Sequence, residues 1–174
     1  MKTIYIPEII KYDGHQLSPH WIYKNFSLLG DAVAAFCGEA EVGQETMVDL
    51  ADLKNKDFIY SPLMLNFIIE HFDTDLEKAV YRQRIFMVAI KEELESRSIT
   101  VRRSGDDLYI GEGKLSVSIA TRSLVSTLMH VGVNIETQGT PVKTAGLKEI
   151  GISDIKGFAL QVMKRYVQEI EEIN

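Results

Sequence analysis

The chain has 174 residues, which is the size of one domain and is long enough to bury a hydrophobic core without disulfides. Nineteen Lys and Arg against 25 Asp and Glu give a net charge of −6, so the chain lacks the basic character typical of nucleic-acid-binding proteins. The single cysteine, Cys37, excludes an internal disulfide and a cysteine-based zinc site, and no apolar run is long enough to cross a membrane.

These properties predict one domain over residues 1–174, with no bound metal, no nucleic-acid partner and no membrane partner. The N-terminal stretch is not typical of a signal peptide, because Pro7 and Glu8 interrupt its apolar residues. One cysteine and no signal peptide favour a reducing, cytoplasmic location.

The first third of the chain predicts a strand, one helix and two more strands. Residues 2–10 are predicted to be extended and broken at Pro7. Ser18 and Pro19 are typical of a helix start, and apolar residues recur at helical spacing from Ile22 to Phe36, which predicts a helix that ends at Gly38. Cys37 falls on the apolar stripe of that helix and is predicted to lie in the core. Two apolar runs predict strands over 46–53 and 58–69.

The rest of the chain predicts two long helices with strands between them. Thr74 and Glu77 form a capping box that predicts a helix to about Arg97, and Ser153 is predicted to cap the last helix. Residues 114–121 and 127–135 alternate between apolar and polar, as half-buried strands do. The fold class predicted is α+β, with helices packed on a largely antiparallel sheet.

The two alternating segments predict a polar surface. If residues 122–126 contain the turn of a hairpin and apolar residues face each other, the predicted cross-strand pairs are Lys114 with Asn134, Ser116 with Gly132, and Ser118 with His130. One alternative is the ordinary solvent-exposed face of an antiparallel sheet. A single lysine among small polar side chains favours instead a site for a phosphate or carboxylate.

Several segments in this region resemble the catalytic core of biotin and lipoate protein ligases, which belong to the class II aminoacyl-tRNA synthetase-like superfamily. The chain as a whole resembles an uncharacterised prokaryotic family assigned to that superfamily. The resemblance is carried by Asp106-Asp107-Leu108-Tyr109-Ile110, Gly113-Lys114-Leu115-Ser116, Val131-Gly132-Val133-Asn134-Ile135 and Thr144-Ala145-Gly146-Leu147-Lys148-Glu149.

The resemblance implies the fold of those ligases and a role for individual residues. Lys114 matches the catalytic lysine, which contacts the acyl carbonyl and the phosphate of an acyl-adenylate. Asp107 and Asn134 match the acidic residue before the strand and the asparagine of the later strand. With Ser116, Ser118 and His130 from the predicted polar face, they form the expected substrate-binding set. Arg82 and Arg84, on the long helix, are further predicted anion-binding residues, with a solvated helix face as the alternative.

The sequence also departs from the ligases. Val117 stands where they have a glycine, and residues 53–62, LKNKDFIYSP, lack their glycine- and arginine-rich phosphate loop. The cofactor is therefore left unassigned, with ATP and magnesium as an open alternative. Three functions follow: an acyl ligase or transferase for a small-molecule carboxylate or acyl ligand, a non-catalytic ligand-binding module, or an interaction protein that forms a homodimer through a sheet edge.

Overall fold

The computed structural model describes residues 1–43, 59–140 and 142–173, so the strand predicted over 46–53 lies outside the described residues. The helices are α1 (Trp21–Phe26), α2 (Leu76–Ser96) and α3 (Ile155–Ile173). The strands are β1 (Lys2–Ile6), β2 (Ala32–Val42), β3 (Ile59–His71), β4 (Arg102–Ser104), β5 (Asp107–Ile110), β6 (Gly113–Lys114), β7 (Ser116–Arg122) and β8 (Thr127–Glu136).

The strands form two sheets. The central sheet has the order β1-β2-β3-β8-β7, in which β1 is parallel to β2 and all other neighbours are antiparallel. A small antiparallel sheet, β4-β5-β6, lies beside it. Helices α2 and α3 pack on the central sheet, so the predicted α+β class is confirmed.

The helix predicted from Ser18 to Gly38 is wrong over most of its length. Only Trp21–Phe26 is helical, and the residues from Ala32 onward form the buried strand β2. Val33 and Phe36, which the helical spacing placed on one stripe, point to opposite faces of this strand and join different clusters. A strand buried on both faces has apolar residues at almost every position, so helical spacing arises there by coincidence.

The two long predicted helices are confirmed, but their caps differ from the prediction. Asp75 rather than Thr74 caps α2, because its side chain accepts a hydrogen bond from the Lys78 N–H at 3.0 Å. At the start of α3, the Asp154 carboxylate accepts from the Gly157 N–H at 2.8 Å. Within the described ranges, no helix is both long enough and apolar enough to span a membrane.

The β7–β8 hairpin has a register one residue away from the predicted one. Its pairs include Val117 with Gly132 and Ile119 with His130. The loop between the strands has four residues, 123–126, and the Ser123 hydroxyl closes it by accepting from the N–H groups of Val125 and Ser126. The prediction of one shared polar face is therefore wrong. It assumed that apolar residues face each other, but β8 is buried on both sides.

The central sheet consequently has two covered faces. The helix-covered face carries apolar side chains of β2, β3 and β8, namely Val33, Ala35, Leu65, Phe67, Ile69, Met129, Val131 and Val133. The opposite face, called the second face, is covered by α1 and the N-terminal segment before it, and it carries Phe36, Gly38, Met64, Asn66, His130, Gly132 and Asn134.

Candidate functional site

Lys114 lies at the end of the small sheet, where the chain passes from β6 to β7. Its strand pairing places it beside Tyr109, which in turn pairs with Arg102. The Arg102 guanidinium lies over the Tyr109 ring, 4.2 Å from its centroid. Lys114 is therefore part of a row of long polar and aromatic side chains that crosses one face of the small sheet.

The Lys114 backbone is held by the segment that follows β8. Its N–H donates to the Lys143 carbonyl and its carbonyl accepts from the Ala145 N–H, both at 3.0 Å. Gly113 is required here, because a Cβ atom at this position would lie 2.9 Å from the carbonyl carbon of Thr144. The conformation before Lys114 thus depends on close passage of the 143–145 segment.

Asn134 contacts the same backbone from the β8 side. Its buried side-chain amide donates to the Lys114 carbonyl at 3.2 Å, and its own N–H donates to the Leu115 carbonyl at 2.9 Å. The sequence predicted that Asn134 would lie opposite Lys114 and face a ligand. The structure brings the two residues together, but it gives the Asn134 amide a contact with the backbone of Lys114.

The Lys114 ammonium forms an ion pair with Asp107. Nζ lies 3.0 Å from Oδ1, and the two side chains are 32% and 26% exposed. Because both groups are partly exposed, the pair contributes on the order of 0–1 kcal/mol to stability. The predicted residues Lys114, Asp107 and Asn134 therefore lie together, and the ammonium remains reachable from solvent.

Ser116 and Ser118 lie away from this group, on the helix-covered side of β7. The Ser116 hydroxyl is fully buried and accepts from the Leu108 N–H at 2.9 Å. The Ser118 hydroxyl accepts from the Gln83 amide at 2.7 Å and donates to the Asp106 carbonyl at 3.0 Å. Both hydroxyls fasten the small sheet and α2 to β7, and neither shares a face with His130.

The two arginines predicted to bind an anion already have carboxylate partners. Arg82 is buried and its Nη1 lies 2.6 Å from Asp73 Oδ2. Burial raises the pKa of Asp73, but the hydrogen bond and charge of Arg82 outweigh it and lower that pKa overall. Arg84 pairs with Asp106 at 3.1 Å. In the described part of the chain, neither guanidinium shares an ion-pair partner with Lys114.

His130 lies on the second face, four residues along β8 from Asn134. Its ring stacks on Tyr12 at 3.7 Å between centroids, and Nε2 lies 3.0 Å from Asn66 Oδ1. Burial lowers the pKa of His130 to about 3 and raises the pKa of Tyr12 above its ordinary range, so both groups are neutral near pH 7.

The pairing of Tyr12 with His130 was missed by the sequence analysis. A signal was present for Asn66, the one amide in the apolar run from Leu63 to Ile69. A buried amide needs hydrogen-bond partners, so a polar residue in a buried strand indicates a second polar group nearby. No comparable signal marks Tyr12, which reaches this position because residues 10–12 run along β2.

A second polar cluster lies where β3 ends, three residues along the β3–β8 pairing from His130. The His71 ring bonds Asp31 through Nδ1 and the Tyr166 hydroxyl through Nε2, both at 2.8 Å. The hydrogen bond from His71 lowers the pKa of Asp31. Tyr166 is fully buried on α3, so this chain of bonds joins the helix to the sheet. Among the described residues, no three His, Cys, Asp or Glu side chains form a group suited to a metal ion.

Comparison with known proteins identifies relatives along the whole chain. Residues 1–174 match a family described as a domain of unknown function, DUF366. The uncharacterised protein MJ0805 of Methanocaldococcus jannaschii is 37% identical over 179 aligned residues, which cover 99% of this chain and 81% of that protein. A solved protein of unknown function from Pyrococcus horikoshi is 36% identical, with a TM-score of 0.92 over 98% of this chain and 94% of its own.

More distant structures have the fold that the sequence resemblance implied. The biotin protein ligase of Aquifex aeolicus, in complex with biotin and ATP, has a TM-score of 0.63 at 18% identity, covering 98% of this chain and 71% of its own. A lipoate-protein ligase A bound with ATP has a TM-score of 0.61 at 16% identity, covering 98% and 86%. At these identities the likeness establishes the fold, and it confirms the architecture predicted from the sequence.

Proposed function

The chain belongs to the DUF366 family, and we propose that it binds a small-molecule carboxylate or acyl group beside Lys114 and acts as an acyl ligase or transferase. The single observation that carries this proposal is the placement of Lys114, with Asp107 and Asn134 at hydrogen-bond distance, in a fold shared with biotin and lipoate protein ligases. The segment from Asp106 to Ser116 resembles the corresponding segment of those enzymes.

The chemistry requires a fixed positive charge. Formation of an acyl-adenylate concentrates negative charge on a phosphate, and transfer of the acyl group concentrates it on a carbonyl oxygen. The backbone of Lys114 is bound on both sides, through Asn134 and through residues 143–145, so its side chain starts from a defined position. With its backbone held in this way, Lys114 can stabilise such charge once its ammonium is shared with, or released from, Asp107.

A ligand-binding module without chemistry is the second candidate function. It is favoured by the Asp107 carboxylate, which neutralises Lys114 at 3.0 Å and must be displaced or shared before the ammonium can meet an anion. Val117 next to Gly132 also fills space that a ligand would otherwise use. A module of this kind binds a carboxylate and releases no pyrophosphate from ATP.

The experiment measures pyrophosphate release from ATP and magnesium with a panel of small carboxylic acids, together with direct binding of each acid. We expect acid-dependent release in the wild type and a loss of roughly a hundredfold or more in Lys114→Ala. Lys143→Ala is the matched control, since its exposed side chain pairs with Glu112 nearby and its activity should be unchanged.

Three outcomes separate the candidates. Release that depends on Lys114 supports the enzyme. Binding that depends on Lys114, with no release for any acid, supports the module. If Lys114→Ala alters neither binding nor release, this site is not where a carboxylate binds and the proposal fails.

A further inference from the structure

The small sheet carries surplus positive charge in an acidic chain. Residues 102–114 contain three carboxylates, and each has a cationic partner: Asp106 pairs with Arg84, Asp107 with Lys114, and Glu112 with Lys143. Arg102 and Arg103 of β4 remain without a carboxylate, although the net charge of the chain is −6. This local excess favours the approach of a negatively charged group to the small sheet.

The two arginines of β4 differ in what holds them. They point to opposite faces of the strand, because side chains alternate along it. The Arg103 guanidinium donates to the Gly105 carbonyl at 2.6 Å. The Arg102 guanidinium forms no hydrogen bond or ion pair with the described residues, and it lies over the Tyr109 ring at 4.2 Å. A cation–π contact positions the guanidinium but supplies no acceptor atom, so the N–H groups of Arg102 remain available to an anion.

Arg102 lies on the same face of the small sheet as Lys114. Arg102 is opposite Tyr109 in the strand register, and Tyr109 is opposite Lys114. Two strand spacings place the Cα atoms of Arg102 and Lys114 roughly 10 Å apart, with Tyr109 between them. Arg102 is exposed and the other two side chains are partly exposed. A ligand can therefore reach this row without displacing a buried side chain.

The two cations of the row differ in their availability. Lys114 pairs with Asp107 at 3.0 Å, so that pair is neutral as a whole and attracts an anion weakly. Arg102 has no competing carboxylate, and a guanidinium binds a carboxylate or phosphate group through two parallel N–H groups. A ligand with a second negative group therefore gains a contact at Arg102 that the neutralised lysine does not offer.

We propose that Arg102, positioned by Tyr109, is a second anion-binding residue of the Lys114 site, and that the ligand carries two negatively charged groups. This inference rests on the proposed function, because it names the substrate class of that site. The ligand is a short dicarboxylic acid, or a carboxylic acid that carries a phosphate group, with its two anionic groups roughly 5–10 Å apart. A monocarboxylic acid of the same length binds more weakly, since it leaves Arg102 without a partner.

Diacids and their esters test whether a second negative charge matters. Calorimetry on the full chain compares linear dicarboxylic acids, from glutaric to suberic acid, with their monomethyl esters, which lack one charge. The best diacid should bind about three- to tenfold more tightly than its ester, as expected for one partly exposed charged contact. Phosphonocarboxylic acids of the same chain lengths show whether the second group is a carboxylate or a phosphate.

Variants of the small sheet test whether Arg102 provides the contact. Arg102→Gln should abolish the preference for the diacid. Arg103→Gln is the matched control, because it removes the same charge from the opposite face of the strand and should keep the preference. Tyr109→Phe should also keep it and Tyr109→Leu should reduce it, because only phenylalanine retains a ring for the guanidinium. Equal losses in Arg102→Gln and Arg103→Gln would show that overall charge attracts the ligand, and would overturn the proposal.

Inorganic phosphate probes Arg102 without a carboxylic acid. In wild-type protein labelled with ¹⁵N-arginine, phosphate should shift the Nε–H resonance of Arg102 and leave that of Arg103 unchanged. The same shift is expected in Lys114→Ala, because binding of phosphate to Arg102 does not require the lysine.

The outcomes for the two proposals differ. If acids bind through Lys114 but no diacid shows a preference that depends on Arg102, the second anion-binding residue is wrong and the proposed function stands. If phosphate shifts Arg102 and Arg102→Gln weakens diacid binding, while Lys114→Ala leaves it unchanged, the anion-binding role of Arg102 stands and the proposed function falls. If neither acids nor phosphate bind, both are overturned.

Discussion

The helix-covered face and the second face are built from the same strands, yet they are covered and composed differently. On the helix-covered face, Phe67 meets Phe86 and Phe86 meets Tyr166 in edge contacts at 5.0 and 4.9 Å, which link the sheet to both long helices. On the second face, one strand pair carries Asn66, His130 and Gly132, and the cover is the N-terminal segment.

The two faces are therefore stabilised in different ways. Aromatic and aliphatic contacts need no partners of defined direction, so the helix-covered face gains stability simply by excluding water. A buried imidazole and amide cost free energy unless each finds its hydrogen bonds. On the second face, His130 and Asn66 bond each other and Tyr12 stacks on the imidazole, so this face is held by directed contacts as well as by the exclusion of water.

Phe67 and Phe36 are fully buried phenylalanines on the two faces of the sheet, and truncating Phe67 should cost the most stability. Phe67→Ala should lower the free energy of unfolding by about 3–5 kcal/mol, because it leaves a cavity among β3, α2 and α3. Phe36→Ala, on the second face, should cost less and act mainly on the N-terminal cover, since Phe36 packs against Trp21. Denaturant unfolding measures the first effect, and hydrogen exchange in residues 1–31 measures the second.

The opposite result would be that Phe36→Ala lowers the free energy of unfolding as much as Phe67→Ala does and leaves hydrogen exchange of the N-terminal segment unchanged. The two faces would then be one cooperative core, and the N-terminal segment would be as firmly fixed as the helices.

The second expected effect is a pH dependence from His130. Its pKa in the folded protein is about 3, against 6.5 ordinarily, so between these values the unfolded chain binds a proton that the folded chain does not. The free energy of unfolding should therefore fall as pH decreases from about 6.5, by up to ~1.4 kcal/mol per pH unit. Denaturant unfolding between pH 6.5 and 4.5 should show this slope in the wild type, corresponding to a loss of roughly 2–3 kcal/mol.

The control variants isolate His130 from other titrating groups. His130→Gln and His130→Phe cannot take up the proton, so their slopes should be shallower than that of the wild type. His15→Phe removes an exposed histidine and should keep the wild-type slope. Equal slopes in all four proteins would show that His130 takes up its proton equally in the folded and unfolded states, which would contradict the lowered pKa.

The sequence predicted the helix-covered side of the molecule better than the second face. Both long helices carry one apolar stripe, and the fold class followed from them and from the alternating strands. The pattern failed where both sides of a strand are buried. In β2 it indicated a helix, and in β8 it could not distinguish which residues of β7 lie opposite, so the hairpin register was wrong by one residue.

The candidate site was predicted only in part, because the predicted register of the β7–β8 hairpin was wrong. The resemblance to the ligases predicted that Lys114, Asp107 and Asn134 would lie together, and the structure brings these three residues together. Ser116 and Ser118 were placed with them by an assumed register, and their hydroxyls instead bind Leu108 and Asp106. Tyr12 contacts His130 across more than a hundred residues of sequence, and no local pattern encodes such a contact.

The third expected effect tests how closely the N-terminal segment lies on the second face. A Cβ atom at Gly38 would lie 1.8 Å from the Ile10 carbonyl oxygen, so Gly38→Ala must push this segment away from β2. The expected cost is about 1–3 kcal/mol in the free energy of unfolding, as for overpacked cores. Gly43→Ala is the control, because no atom of the described residues lies within 4 Å of its added Cβ. If Gly38→Ala is as stable as the wild type, the segment lies less tightly on the second face than Phe36 and Tyr12 indicate.

The ion pair of Lys114 and Asp107 should contribute little to stability and more to binding. Asp107→Asn removes the carboxylate that pairs with Lys114 but keeps its shape, and both side chains are partly exposed. Unfolding free energy should change by less than about 1 kcal/mol, as for other exposed ion pairs.

Affinity for a small carboxylic acid should instead increase, because the ammonium no longer has to leave a competing anion. Calorimetry of the variant and the wild type measures this, with Glu112→Gln, at the exposed pair with Lys143, as the control. A variant that loses stability yet gains no affinity would show that Lys114 and Asp107 serve the small sheet rather than a ligand.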